Sequence, residues 1–170
     1  MLQAEGVIVR RADPGTPEAV EILSAYWRDI VGRYHGRTAT DAEVGQALSD
    51  YPSDDLAPPM GVFLIATDEH GVVGCAGLRW AVYAQAELVR VFVAARGRGR
   101  GTARALLGAA EEAARTDGRT AITAEVRADL VEAQTLYEAC GYADVPAFST
   151  GRFADVWLRK HLTQAPDATT

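Results

Sequence analysis

Apolar residues arrive along this chain in two rhythms. Short β-branched and apolar blocks at Gly6–Arg10, Val62–Ala66, Val72–Val82, Glu87–Val93, Thr120–Val126 and Phe153–Arg159 read as strands. Between them lie stretches with helical spacing. Thr16-Pro17-Glu18 is a helix start, with Thr16 as N-cap and Pro17 in the first turn, and Val20, Ile22, Leu23, Trp27, Ile30 and Val31 give an apolar face. Gly32 fits the C-terminal cap of that helix. Thr40-Asp41-Ala42-Glu43 is a capping box opening a shorter helix to about Leu48. Asp50–Met60 is a proline-containing loop, and Asp68-Glu69-His70-Gly71 a hairpin turn. Gly99–Arg115 reads as a helix with Leu106, Leu107, Ala110 and Ala114 on one face. Another helix starts at Asp129 as cap, with Glu132 three residues on, runs to Ala139 and stops at Gly141. A further short strand fits near Tyr142–Val145.

The order is β, α, α, β, β, β, α, β, α, β. The middle strands are hairpin-linked and the later ones joined through helices, which predicts an α+β fold with a mixed sheet covered by helices. At 170 residues, the chain has the length of one domain, taken here as 1–162, and Thr163–Thr170 reads as a disordered tail.

Composition narrows the function classes. The apolar stretch Val72–Leu78 is far short of the ~20 residues of a membrane span, and Met1–Arg10 has no apolar core of a signal peptide. Cys75 and Cys140 are too few and too far apart for a disulfide framework or a zinc site, and read as free thiols of a cytoplasmic protein. The net charge of −6 is carried by residues 1–85, and Asp41, Glu43, Asp50, Asp54 and Asp55 lie together without a base. Arg90, Arg96, Arg98, Arg100 and Arg104 cluster within fifteen residues. An acidic protein with one arginine cluster is a poor nonspecific nucleic-acid binder and a fair receptor for a discrete anion.

The chemistry concentrates in Val91–Leu107, where a strand runs through Arg96-Gly97-Arg98-Gly99-Arg100-Gly101 into a helix. Glycines allow close backbone approach, and the first helical turn leaves N–H groups unpaired beside the positive end of the dipole. The physical expectation is a pyrophosphate cradle. A dinucleotide fold is disfavoured, because that fingerprint belongs to a first βαβ unit.

The same run resembles the acyl-CoA motif of the GNAT superfamily of acetyl-CoA-dependent N-acyltransferases. Phe92-Val93 ends the strand, and Arg98, Gly101 and Ala103 fill the defining positions ahead of Leu106-Leu107. Ala95 replaces a common proline. Ala133-Gln134-Thr135-Leu136-Tyr137 with Gly141-Tyr142 resembles a second family segment, and Leu130 replaces a frequent asparagine. The resemblance implies a central, mostly antiparallel sheet of six or seven strands with about four helices, and acetyl-CoA as co-substrate without a metal. It also implies direct attack by an amine in a ternary complex. Val91, Phe92 and Val93 would pair with the pantetheine arm, and Arg98, Gly99, Arg100, Gly101, Thr102 and Ala103 would hold the pyrophosphate.

Amine acetylation needs a route for the amine's proton, a donor for the developing oxyanion and a proton for the leaving thiolate. Tyr137 is the expected proton donor and a cofactor contact, with a core aromatic as the plain alternative. Glu87 is the expected base or amine ligand, with a solvated strand-end charge as the alternative. Strict alternation puts Glu87 on the face of Val89, Val91 and Val93 unless a bulge intervenes. Tyr34 and His35 fall in a segment that lines the acceptor site in GNAT proteins. The acceptor, a small-molecule or peptide amine, is not legible, though the acidic run suggests a cationic one. A non-catalytic acyl-CoA-binding module is the alternative class, and oligomeric state stays open, a homodimer included.

Overall fold

The structure is a computed structural model and describes residues 4–163. Its elements are β1 (Ile8–Arg11), α1 (Pro17–His35), α2 (Asp41–Asp50), β2 (Gly61–Asp68), β3 (Gly71–Trp80), β4 (Gln85–Val93), α3 (Thr102–Thr116), β5 (Ala121–Val126), α4 (Val131–Ala139), β6 (Ala143–Asp144) and β7 (Val156–His161). A single 3₁₀ turn, Ala95–Gly97, follows β4. The strands form one sheet in the order β1-β2-β3-β4-β5-β7-β6. Only β4 and β5 are parallel. The α+β class, the mostly antiparallel sheet and the four helices therefore stand as the sequence implied. The expected tail lies, from residue 164 on, outside the described residues.

Two apolar layers sit on the sheet. On one side Val62, Leu64, Leu78 and Ile122 pack with Leu106, Leu107 and Ala110 of α3 and with Tyr137 of α4. On the other, Phe63, Ile65 and Cys75 meet Ile22 and Leu23 of α1 and Leu56 of the loop after α2. Each such buried side chain contributes roughly 1.5–3 kcal/mol relative to exposure. Cys75 and Cys140 are free thiols. Burial pushes the Cys75 thiol well up, so it is no nucleophile at neutral pH. Lys160, the chain's one lysine, donates to Glu111 Oε1 at 2.8 Å and to the Cys140 carbonyl at 2.7 Å.

Several expected boundaries move; α3 starts at Thr102 rather than Gly99, and β3 ends at Trp80 rather than Val82. α1 does not stop at Gly32 but runs to His35, capped by Gly36 at φ 66°. A Cβ at position 32 would lie 3.0 Å from the Arg37 carbonyl, so Gly32 serves the close return of the chain rather than the cap. α4 has Leu130, not Asp129, at its N-cap, without a side-chain cap bond. Asp129 is taken instead by a two-pronged pair with Arg127, at 2.9 and 2.7 Å. The last strand begins at Val156, leaving Phe153 in the preceding loop.

Candidate active site

β4 organises the site. It pairs with β5 only from Gln85 to Leu88, opposite Ala121 to Ala124. Beyond Leu88 the two strands part, and the Val89–Val93 backbone has no strand on that side. Against β3, Gly77 faces Val89 but Cys75 faces Phe92, so Arg90 and Val91 together oppose one residue. This is a β-bulge, with Arg90 at φ 56°. The bulge reverses the alternation. Val89 and Phe92 pack on the α1 side of the sheet, whereas Val91 and Val93 pack on the α3 side. The expectation that Glu87 shares a face with Val91 and Val93 is thereby corrected: it keeps the phase of Val89 alone.

After β4 the chain turns through Arg96–Gly101 into α3, and Gly101, at φ 77°, is the N-cap. Backbone bonding passes from the Arg98 N–H, on the Ala95 carbonyl at 3.3 Å, to the Ala105 N–H, on the Gly101 carbonyl at 3.0 Å. Among the described residues the six intervening N–H groups, Gly99 to Arg104, have no protein acceptor. A Cβ on Gly101 would meet only the Ala4 Cβ, at 3.7 Å, so this glycine is required by its backbone angle rather than by crowding. The side chains around the turn are already engaged. Thr102 Oγ1 donates to the Gly97 carbonyl at 2.8 Å, and Arg98 Nε donates to the Val93 carbonyl at 3.1 Å. Arg96 and Arg100 converge on Asp68, through contacts of 2.8 and 2.9 Å. The Arg96 guanidinium, with the His70 N–H and Arg100, holds the Asp68 carboxyl well below the usual carboxylate range. What the turn offers an anion is therefore mostly backbone N–H and the helix dipole.

Beside the open edge of β4 lies a cavity of about 420 Å³. It brings together Tyr34, His35, Glu87, Val91 and Tyr137, five of the expected site residues, from α1, β4 and α4. Phe92, Val93 and Arg98–Ala103 do not line it; they belong to the far end of β4 and to the turn.

Tyr137 is buried on α4, its ring 5.5 Å from that of Tyr142. Burial, with smaller contributions from Tyr26 and Cys140, raises its phenol well above the ordinary value, so it carries its proton at any physiological pH. Its hydroxyl has no hydrogen-bond partner among the described residues. Glu87 lies opposite Arg79 on β3, whose Nη1 donates to Glu87 Oε2 at 3.2 Å while its Nε grips Asp55. The carboxylate is about one-third exposed, so it is neither a fully solvated strand end nor sealed in the core. His35 Nε2 is 3.9 Å from Glu43 Oε1. That carboxyl, held down to about 2 chiefly by Arg37, also closes the capping box with the Thr40 N–H. Tyr34 is half exposed and stands edge-on to Phe153, with the Arg127 guanidinium over its ring at 5.6 Å.

The sequence reading missed the cavity's other walls: Tyr26 and Trp27 on α1, Arg90 in the bulge, and Phe153 in the loop after β6. It read Asp68 as a mere turn residue. The acidic run that suggested a cationic acceptor is largely spent on other partners. Asp41 pairs with Arg28, Glu43 with Arg37 and Asp55 with Arg79, and Asp50 accepts from Gln46. Among the described residues no cluster of His, Cys, Asp or Glu is arranged to hold a metal. No helix there is long and apolar enough to cross a membrane.

The strand–turn–helix and the parted strands match a known pattern. The sequence model of the acetyltransferase (GNAT) family aligns with residues 18–142. The chain belongs to the GNAT acetyltransferase family. GNAT enzymes use acetyl-CoA as co-substrate. Among curated proteins, none matches this GNAT chain by sequence. Solved structures share the fold. A GNAT-family acetyltransferase from Staphylococcus aureus Mu50 has a TM-score of 0.75 at 15% identity, over 92% of this chain and 99% of its own. A PaiA N-acetyltransferase from Thermoplasma acidophilum, solved in complex with coenzyme A, has a TM-score of 0.71 at 16% identity, over 91% and 98%. An aminoglycoside 6'-N-acetyltransferase complexed with coenzyme A has a TM-score of 0.68 at 18% identity, over 94% and 99%.

Proposed function

We propose that this GNAT protein is a cytoplasmic N-acetyltransferase, built as one domain over residues 1–162, that moves an acetyl group from acetyl-CoA to a primary amine. The carrying observation is the run of unpartnered N–H groups from Gly99 to Arg104, continuous with the open edge of β4 that borders the cavity. The N–H groups of Gly99–Ala103 would hold the pyrophosphate; the expected contribution of the Arg98 N–H is corrected, since it is already bonded to the Ala95 carbonyl. The Val91–Val93 edge would take the pantetheine amides as a further strand, which is how an extended ligand joins an exposed sheet edge. Acetyl-CoA supplies an acyl carbon activated as a thioester.

The residues of the cavity then have distinct tasks. The acceptor amine enters from the side of Tyr34 and His35, with its nitrogen toward Glu87. Glu87, directly or through water, takes the proton that the nitrogen loses as the C–N bond forms. A backbone N–H at Val91 or Val93 steadies the charge gathering on the carbonyl oxygen. Tyr137 gives its proton to the sulfur as the C–S bond breaks, so the thiol leaves neutral. The raised phenol pKa suits a donor that must be protonated at the moment of cleavage. The deciding experiment is an amine panel with acetyl-CoA, following free-thiol release and the acetylated product together. Thiol release that depends on amine supports the reading. Tight acetyl-CoA binding without turnover of any amine would favour a non-catalytic acyl-CoA-binding module instead.

A further inference from the structure

Arg90 is the cavity residue that the proposed acyl transfer leaves without a task. Its side chain lies against the rings of α1, the guanidinium carbon 4.8 Å from the Trp27 ring centre and 5.8 Å from that of Tyr26. Nη2 donates to the Tyr51 carbonyl at 3.3 Å. The Tyr26 hydroxyl lies beside the guanidinium, but no carboxylate reaches the group among the described residues. Of the other arginines at this cavity, Arg79 is held by Asp55 and Glu87 and Arg127 by Asp129, while Arg152 is exposed and lies over the Phe153 ring.

A second observation points the same way. Arg90 Nε and the Trp27 indole N–H are both buried without a hydrogen-bond partner. Both are donors, and they share one corner of the cavity. Both atoms are covered by protein, so they mark a corner short of acceptors without themselves receiving an outside group; the guanidinium nitrogen not so covered, Nη1, is the one an acceptor from outside the chain would reach. Aromatic packing lowers the local dielectric and strengthens any charge pair made there.

We infer that the acceptor is an amine bearing a carboxylate, an amino acid with an apolar side chain, whose carboxylate is seated on Arg90. The inference deepens the acyltransferase reading and rests on it. Glu87 and Arg90 lie three positions apart on β4, Arg90 in the bulge, and both line the cavity. A ligand complementary to that pair carries a cationic nitrogen and an anion close together, as a free amino acid does and a peptide amino terminus does not. Tyr26, Trp27, Tyr34 and Phe153 then wall the space left for an apolar side chain.

The test uses matched probes that differ in the carboxylate. Phenylalanine, its amide and phenethylamine are compared as acceptors. In parallel, N-acetylphenylalanine and N-acetylphenethylamine are titrated calorimetrically into the protein, with and without coenzyme A. The expected result is at least tenfold tighter binding of the carboxylated product, and at least tenfold higher kcat/KM for the amino acid. Arg90→Gln should erase both preferences, and Arg90→Lys, which keeps the charge, should retain part of them. Unchanged coenzyme A affinity and circular dichroism exclude a folding defect. Equal affinity for the two products, binding of neither at millimolar concentration, or a preference that survives in Arg90→Gln would overturn the inference. A product preference that depends on Arg90, with no amine turned over, would leave it standing and overturn the acyl-transfer reading instead.

Discussion

The two ends of β4 recognise in different ways. At its C-terminal end the Arg96–Gly101 turn and the first turn of α3 present backbone: six N–H groups in sequence, with Arg96, Arg98, Arg100 and Thr102 occupied in holding the turn. Around its middle the cavity presents side chains drawn from α1, β3, β4, α4 and the loop before β7. A backbone receptor is tolerant of side-chain identity but intolerant of shape. A side-chain receptor is the reverse, and it can be retuned one residue at a time. The first suits a ligand common to a family, the second a ligand particular to one member.

Substitutions at the two ends should therefore fail in different measurements. The largest effect is expected from Gly101→Asp. It places a negative charge at the N-cap and a side chain at φ 77°, and acetyl-CoA affinity should fall by at least 10²-fold with native circular dichroism. Gly101→Ala carries the strain without the charge, so calorimetry on the pair separates shape from electrostatics. Wild-type affinity in Gly101→Asp would remove the turn from the binding site.

Tyr137→Phe should come next, lowering kcat by roughly 10²-fold with little change in the KM for acetyl-CoA. Because the phenol titrates far above neutrality, the wild-type basic limb below pH 9 should not belong to Tyr137. A mutant with wild-type kcat would assign the residue to packing. Glu87→Gln should act on the acceptor side alone, on the order of tenfold, less than the roughly 10²–10⁴-fold of a full general base because water can take over part of the proton transfer. A fall in kcat with a shifted acid limb marks a base, whereas a higher acceptor KM with the profile intact marks an amine ligand.

The smallest effect is expected at Asp68, which braces the turn from the β2–β3 hairpin. Its carboxyl is lowered in the folded protein relative to 3.8 in the unfolded chain. The stabilisation it gives is thus complete above about pH 4 and lost as pH falls through the lower, folded-state value. Urea unfolding between pH 5 and pH 2.5 should show wild-type stability declining more steeply than that of Asp68→Asn. Coenzyme A affinity in the variant should drop only a few-fold. Parallel pH profiles would mean that Asp68 does not carry this dependence.

The contrast between the two ends also explains what could be read from the chain. The turn was legible because its function lies in consecutive residues, and Arg98, Gly101 and Ala103 sit at fixed offsets from one another. Tyr137 was legible for the same reason, through its own local segment. Tyr26 and Trp27 look like any apolar positions of an amphipathic helix, and nothing local marks them as cavity walls. The bulge escaped because a strand of valines accepts an extra residue without a glycine to announce it, and Arg90 carries the positive φ that a glycine might have advertised. Asp129 and Gly32 misled for one reason: each has the residue type of a cap, while a neighbour a few residues away, Arg127 or the Arg37 carbonyl, claims it for something else.

The chain's lone lysine bears on what happens when an acetylating enzyme meets itself. Lys160 Nζ is locked between Glu111 and the Cys140 carbonyl, three-quarters covered and charged. An ammonium so held is a poor nucleophile, and arginine, used sixteen times for the remaining positive charges, does not react with thioesters at neutral pH. The folded surface thus offers acetyl-CoA almost no side-chain amine of its own. Stored with its co-substrate, the protein should stay chemically homogeneous, and its intact mass should remain free of the acetyl ladder that a lysine-rich surface accumulates.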